Sequence, residues 1–397
     1  MASGFGGAAA NHRRRATDPR IGKCSGVIHL TSRRAQSLAG PLRQFGSLAL
    51  PLFTVHALLL TGTPALAQLC YVANGGGSNN VSGYKVESTG GLSPLPGSPF
   101  AAGNLPASVA VEPRGKFVYV SNESGDSVSG YSIGKNGVLT PITGSPFVSG
   151  INPHEIVIHH SGRFAYVAGA VGNAVWAYGI ATDGTLDPIK GSPFKAGGFP
   201  RALALSPDGR FAYVANQATN NVSAYEVDQS GALRPVAGSP FAAGNSPFSV
   251  CVDATSRFVY VVNEGDDTIS AYRVSGKGRL RPISGSPFRS GSDPVKVVTD
   301  PRGKFIYVAN MVAANVSGYR IAGNGALTPI PGSPFASGRE PYSIAIDAAS
   351  KFAYVANRFD KNISAYQIDE NGSLTPIAGS PFPAGVGPDS IAYTPYR

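Results

Sequence analysis

Three features predict an all-β chain folded as a seven-bladed β-propeller of four-stranded antiparallel blades. First, the tetrapeptide Gly97-Ser98-Pro99-Phe100 returns at Gly144, Gly191, Gly238, Gly285, Gly332 and Gly379, always 47 residues on. A strict period of about 40 to 50 residues with strand-like content marks small sheets stacked one against the next. Second, each period holds four short strand signals separated by turn residues. Third, the chain ends in a strand that its first unit lacks.

Residues 1–67 stand outside the repeat, so the chain divides into 1–67 and a propeller over 68–397. The first segment holds eight Lys or Arg against a single acid, Asp18, then an uncharged run over 44–67 that ends in Ala65-Leu66-Ala67. A basic segment, an apolar segment and an A-x-A site are the parts of a secretory signal, which predicts export to the periplasm or the extracellular space. Arg33-Arg34 after Ser32 resembles a twin-arginine signal, although the residues after the pair are not typical of one. The apolar stretch 45–60 is interrupted by Pro51 and His56 and is shorter than the roughly 20 residues of a spanning helix, so no stable membrane span is expected in the mature chain.

The whole chain carries +10, but residues 1–67 account for +7 of it and leave +3 on the repeats. No Lys/Arg cluster with interleaved aromatics remains there, so nucleic acid is not an expected partner. Cys70 and Cys251 fall on blades nearly opposite one another, whereas a disulfide needs Cα atoms within about 7 Å. Two separate, buried thiols are expected.

The unit from Pro106 to Phe147 shows the grammar. Pro106-Ala107-Ser108-Val109-Ala110-Val111 is a short apolar strand, and Pro113-Arg114-Gly115 a turn. Lys116-Phe117-Val118-Tyr119-Val120-Ser121-Asn122 is an alternating second strand; Val128-Ser129-Gly130-Tyr131-Ser132-Ile133 is a third, and Val138-Leu139-Thr140-Pro141-Ile142 a fourth after Asn136-Gly137. Strand four carries Pro94, Pro141, Pro188, Pro235, Pro282, Pro329 and Pro376, and Pro cannot donate to a ladder on both sides, so this strand is the outer edge. The small, branched residues of strand one suit the crowded axis. The first unit starts at Leu69 with a second-type strand, and Pro388-Asp389-Ser390-Ile391-Ala392-Tyr393 is an inner strand with nothing after it, so the C-terminus should complete the first blade and leave no open edge.

In this topology the starts of strand one, the ends of strand two and the Gly-Ser-Pro-Phe connectors share one face, the top; the Pro-x-Gly and Asn-Gly turns share the bottom. Comparing the seven copies separates scaffold from site. Gly-Ser-Pro-Phe is invariant and reads as a turn that buries its Phe between blades, and the Asn ending strand two reads as a turn cap. The residue after the strand-one Pro differs in every copy: Ala107, His154, Arg201, Phe248, Val295, Tyr342, Asp389. The residue after the strand-two Asn also varies, with Glu123, Gln217, Glu264 and Arg358 among its members. The unit from Pro153 deviates most, with His154-Glu155 at the mouth, Gly169 in place of Asn and Trp176 in place of Ser. A neutral-range pKa lets His154 serve as base or ligand. Trp176 is expected between blades. His159 and His160 are expected on opposite sides of the strand, solvated on the bottom face.

The strands Lys116-Phe-Val-Tyr-Val-Ser-Asn, Arg210-Phe-Ala-Tyr-Val-Ala-Asn, Lys304-Phe-Ile-Tyr-Val-Ala-Asn and Lys351-Phe-Ala-Tyr-Val-Ala-Asn, after turns such as Ser206-Pro-Asp-Gly, resemble the YVTN and lactonase type of seven-bladed propeller. The resemblance covers essentially all of 69–397. That group includes propeller-type 6-phosphogluconolactonase and carboxymuconate-lactonizing enzyme, and it implies a lactone substrate, no metal and no cofactor. It also implies catalytic roles for His154 and Arg201, which match the group's His and Arg positions. Gln217 stands where the group has Glu, and Val295, beside Lys296, where it has a second Arg. Arg201 would then bind a carboxylate, phosphate or developing oxyanion while His154 helps activate water. Gln217 cannot take a proton, so Glu155, Glu123 or Glu264 would have to supply the missing carboxylate, and Lys296 is adjacent to the unmatched second Arg position. Two functions are open: an exported lactonase acting on a sugar-derived or other small lactone, or a non-catalytic propeller whose top face binds a glycan, peptide or protein.

Overall fold

The computed structural model describes residues 68–394. Residues 1–67, with the expected export signal, lie outside them. Among the described residues no helix is long and apolar enough to cross a membrane.

Seven antiparallel sheets are arranged as expected. In the second blade the inner strand Pro106–Val111 pairs with Phe117–Asn122, which pairs with Ser127–Ile133, which pairs with Leu139–Pro141. Five further blades repeat this order, and inner strands of neighbouring blades lie beside one another. The first blade is completed by Pro388–Tyr393, which pairs with Leu69–Asn74 in the register Tyr71 to Ala392 and Val72 to Ile391.

The outer strand differs from the expectation in being broken in two. Phe147–Val148 pairs with the start of strand three, adding a two-residue fifth strand beyond the Gly-Ser-Pro turn. The turn glycines take φ between 75° and 92°, a region open to Gly, and all seven Ser-Pro bonds are cis. Ser145 Oγ accepts the Gly130 N–H at 2.9 Å, and all seven blades repeat this bond. The serine thus supplies the acceptor that a continuous outer strand would have offered as a carbonyl. The adjoining Phe147 packs with Tyr119, Ile142, Ile156 and Tyr178, from two adjacent blades.

Tyrosines tie each blade to its neighbours. Tyr119 is fully buried and donates to the Gly184 carbonyl of the next blade at 2.7 Å, while Tyr131 reaches back to the Ala101 carbonyl at 2.6 Å. A buried hydroxyl needs such a partner. The same two bonds seal the ring, from Tyr354 to Gly90 and from Tyr84 to Pro383, each at 2.7 Å.

The strand-two Asn holds the top loops together. Asn122 Oδ1 accepts the Gly103 N–H at 3.1 Å, and its Nδ2 donates to Ser127 and Ser129. In the third blade these positions are Gly169, Gly150 and Trp176, and the indole occupies the vacated volume: a Cβ on Gly150 would stand 2.0 Å from its Nε1. Trp176 packs between blades two and three. The substitutions of this blade are therefore one rearrangement.

Two expectations need correction. His159 and His160 do not diverge, because the inner strand ends at Ile158 and both lie in the turn; their rings are 4.3 Å apart. His160 is exposed, but His159 is buried, accepting the Ser161 N–H at Nδ1 and bonding the Gly209 carbonyl through Nε2 at 3.0 Å. It caps its turn as Asp253, Asp300 and Asp347 do at equivalent positions. Both thiols are free, but only Cys70 is fully buried. Cys251 is half-buried because it belongs to the inner-strand ring that includes Val298, Ala345 and Ala392, which line the bottom opening.

Candidate functional site

Every inner strand carries a register shift just after its Pro, so the residue that comes next is the extra residue of a bulge. Bulges re-aim side chains, and here seven of them stand around the top of the axis. His154, Arg201, Phe248, Tyr342 and Asp389 from this ring line a recess together with Glu123 and Arg358 from the ends of strand two.

Arg201 is the centre of the network. One guanidinium nitrogen lies 3.2 Å from His154 Nε2 and another donates to the Tyr342 hydroxyl at 2.6 Å. The group lies 4.1 Å above the Phe248 ring, which meets Tyr342 edge-on. Because arginine can only donate, His154 accepts at Nε2 and carries its proton on Nδ1, which points at Glu123 Oε2, 3.7 Å away. Burial, and then the Arg201 charge, push the His154 pKa down to about 3, so the imidazole is neutral. Opposite, Arg358 Nε stands 2.7 Å from Asp389 Oδ1 and its guanidinium lies over Tyr342. Burial raises the Asp389 carboxyl to about 7 against the opposing pull of Arg358, and Glu123 adds to the rise. That value matches a group exchanging protons near neutrality.

The next ring inward forms a floor. Ser108, Ser249 and Ser390 each accept a backbone N–H from the adjacent blade. Glu155 does the same for Leu203 N–H at 3.0 Å, and its other oxygen forms an ion pair with Lys296, three blades away across the axis.

The structure brings His154, Arg201, Glu123, Glu155 and Lys296 into one recess, with Glu155 and Lys296 bound to each other. It does not bring Gln217 and Glu264 there: these bond each other at 2.7 Å and Ser246 at 3.2 Å on the top loops. Both sit on short 3-10 turns that come after strand two, and Glu264 lies beside Asp293, whose carboxyl is raised to about 6 by burial and by Glu264. The carboxylate nearest His154 is Glu123. Tyr342, Asp389, Phe248 and Arg358 are further members of the site that the sequence does not single out, although all four belong to the two variable positions of the 47-residue comparison.

The family profile described as "Lactonase, 7-bladed beta-propeller" matches residues 77–250 and 242–388. The chain belongs to this family. No curated protein matches its sequence. Among solved structures, this lactonase-family propeller is similar to a protein of Bacteroides fragilis assigned as a 6-phosphogluconolactonase, at 20% identity and a TM-score of 0.72 over 83% of this chain and 99% of the other. A Bacteroides uniformis protein with the same assignment gives 18% identity and 0.72 over the same shares. The periplasmic gluconolactonase PpgL of Pseudomonas aeruginosa gives 19% and 0.69, again over 83% and 99%. At these identities the likeness is one of fold.

Proposed function

We propose that this lactonase-family propeller is an exported hydrolase that opens a small, sugar-derived or other lactone in the top-face recess. The observation that carries the reading is the convergence there of Arg201, held between His154 and Tyr342, with the buried carboxyl of Asp389. Its family and its likeness to a periplasmic gluconolactonase support lactone chemistry and export.

In this reading the ionised Asp389 takes a proton from water as the water oxygen bonds to the lactone carbonyl carbon. The carbonyl electron pair moves to oxygen, and Arg201 stabilises the oxyanion. When the tetrahedral intermediate collapses, the ring C–O bond breaks, the leaving alkoxide recovers the proton from Asp389, and a hydroxy acid departs. His154, neutral and facing Arg201, positions the guanidinium; a base with a pKa about 3 is poorly matched to activating water itself. The Arg201 donor at Nε2 sets the His154 tautomer, and Glu123 faces its Nδ1.

The test is a panel of lactones, phosphorylated and not, monitored by proton release. Turnover of one of them that is lost in Asp389→Asn supports the reading, and no turnover of any contradicts it. The second reading, a propeller binding a glycan, peptide or protein, is favoured by Gln217 and Val295 at positions where the resemblance implies Glu and Arg. Recovery of such a partner with no lactone turned over would support it.

A further inference from the structure

We propose that the recess selects uncharged, hydroxyl-rich lactones and excludes phosphorylated ones, with Glu155 and Asp389 setting that selectivity. The proposal rests on the lactonase reading of the site. Three permanent cations line the recess: Arg201, Lys296 and Arg358. Two are already neutralised, Lys296 by Glu155 and Arg358 by Asp389, and both carboxylates are largely shielded from solvent. Among the described residues Arg201 alone of the three has no carboxylate within ion-pair distance, its guanidinium being bonded to the neutral His154 and the Tyr342 hydroxyl. That one charge faces the position where oxyanion charge develops.

A phosphate monoester brings about −1.5 to −2 charges and three strong acceptor oxygens. To hold it on the floor, the recess would have to break the Lys296–Glu155 pair and leave that shielded carboxylate unpaired, which is strongly unfavourable, or seat the dianion beside Glu123. A neutral polyol meets no such obstacle. Ser108, Ser249 and Ser390 accept backbone N–H groups and keep their own hydroxyl protons for a ligand, and Ser343 is the fourth serine of that ring. Phe248 and Tyr342 add an apolar wall for a sugar ring.

Glu155 is the informative position because four of the seven copies, Ser108, Ser249, Ser343 and Ser390, place serine there. Glu155→Ser keeps an acceptor for the Leu203 N–H and frees Lys296 in the floor of the recess. The experiment measures kcat/KM for glucono-1,5-lactone and its 6-phosphate, and titrates inorganic phosphate and 6-phosphogluconate calorimetrically, on wild type and Glu155→Ser. Wild type is expected to favour the neutral lactone at least tenfold and to show no millimolar phosphate binding. Glu155→Ser is expected to gain such binding and to narrow the preference tenfold or more, and Glu155→Gln serves if the serine variant does not fold. A wild-type preference for the phosphorylated lactone, or submillimolar phosphate binding by wild type, overturns the proposal. Failure on both while another lactone of the panel is turned over overturns the proposed substrate class, and failure on the whole panel sinks the hydrolase reading instead; in either case the anion titrations decide whether the recess excludes phosphate.

Discussion

Arg201 and His154, 47 residues apart on neighbouring blades, meet at 3.2 Å, guanidinium nitrogen to imidazole Nε2. Burial first, and then the charge of Arg201, keep the histidine neutral far below its ordinary range.

That contact predicts a pH dependence of stability. The folded-state pKa of His154 is depressed to about 3 from 6.5, so the unfolded chain takes up the proton first as pH falls. Stability attached to this group is complete above about pH 6.5 and is lost progressively toward pH 3. At about pH 4.5, some two units below the unfolded value, the loss is roughly 3 kcal/mol. Thermal melts of wild type and His154→Gln at about pH 7 and 4.5 should show a smaller acid shift in the variant; equal shifts would contradict the assignment.

Asp389 predicts the pH dependence of activity. With a carboxyl near 7 that must be ionised to act as base, kcat/KM should rise with pH through about 7 and level off above. His154→Gln should keep this limb. Asp389→Asn should lose at least about 100-fold and the limb with it. A limb that persists in Asp389→Asn assigns the base elsewhere.

The third blade predicts non-additive substitutions. Gly169→Asn alone drives a side chain into the indole of Trp176, and overpacking of this kind costs about 1–3 kcal/mol. Adding Trp176→Ser restores the Asn and Ser pair of the other blades. Denaturant melts of the two single variants and the double should give a coupling of at least about 1 kcal/mol; simple additivity would mean the two sites are independent.

The seam between first and last blades predicts what ring closure contributes. Removing residues from Pro388 onward strips the inner strand from the first blade and should lower the melting temperature of the whole ring. Tyr354→Phe, which deletes only the hydroxyl bonded to Gly90, should cost about 1 kcal/mol. A truncated chain melting with the full one would contradict closure by that strand.

The architecture was legible because a 47-residue ruler repeats without slippage, and because strand-four proline and the orphan C-terminal strand fix order and closure. The split outer strand was not legible: nothing local announces that a serine hydroxyl replaces a carbonyl in the ladder. The candidate site was half legible. His154 and Arg201 stood out as unlike residues at one variable position, yet Tyr342 and Asp389 occupy that same position with no such signal. Which of Glu123, Glu155 and Glu264 reaches His154 depends on loop geometry. Glu264 is drawn to Gln217 and Glu155 to Lys296, contacts between blades that spacing along the chain does not reveal.

The most direct test of the account is the rate of lactone hydrolysis by Arg201→Gln against wild type, on the best substrate of the panel, with melting temperature measured in parallel. If Arg201 stabilises the oxyanion in this recess, kcat/KM falls by about 100- to 1,000-fold while the propeller still melts as a folded ring. Equal rates in the two proteins would contradict the account, because hydrolysis would then take place somewhere other than the top-face recess.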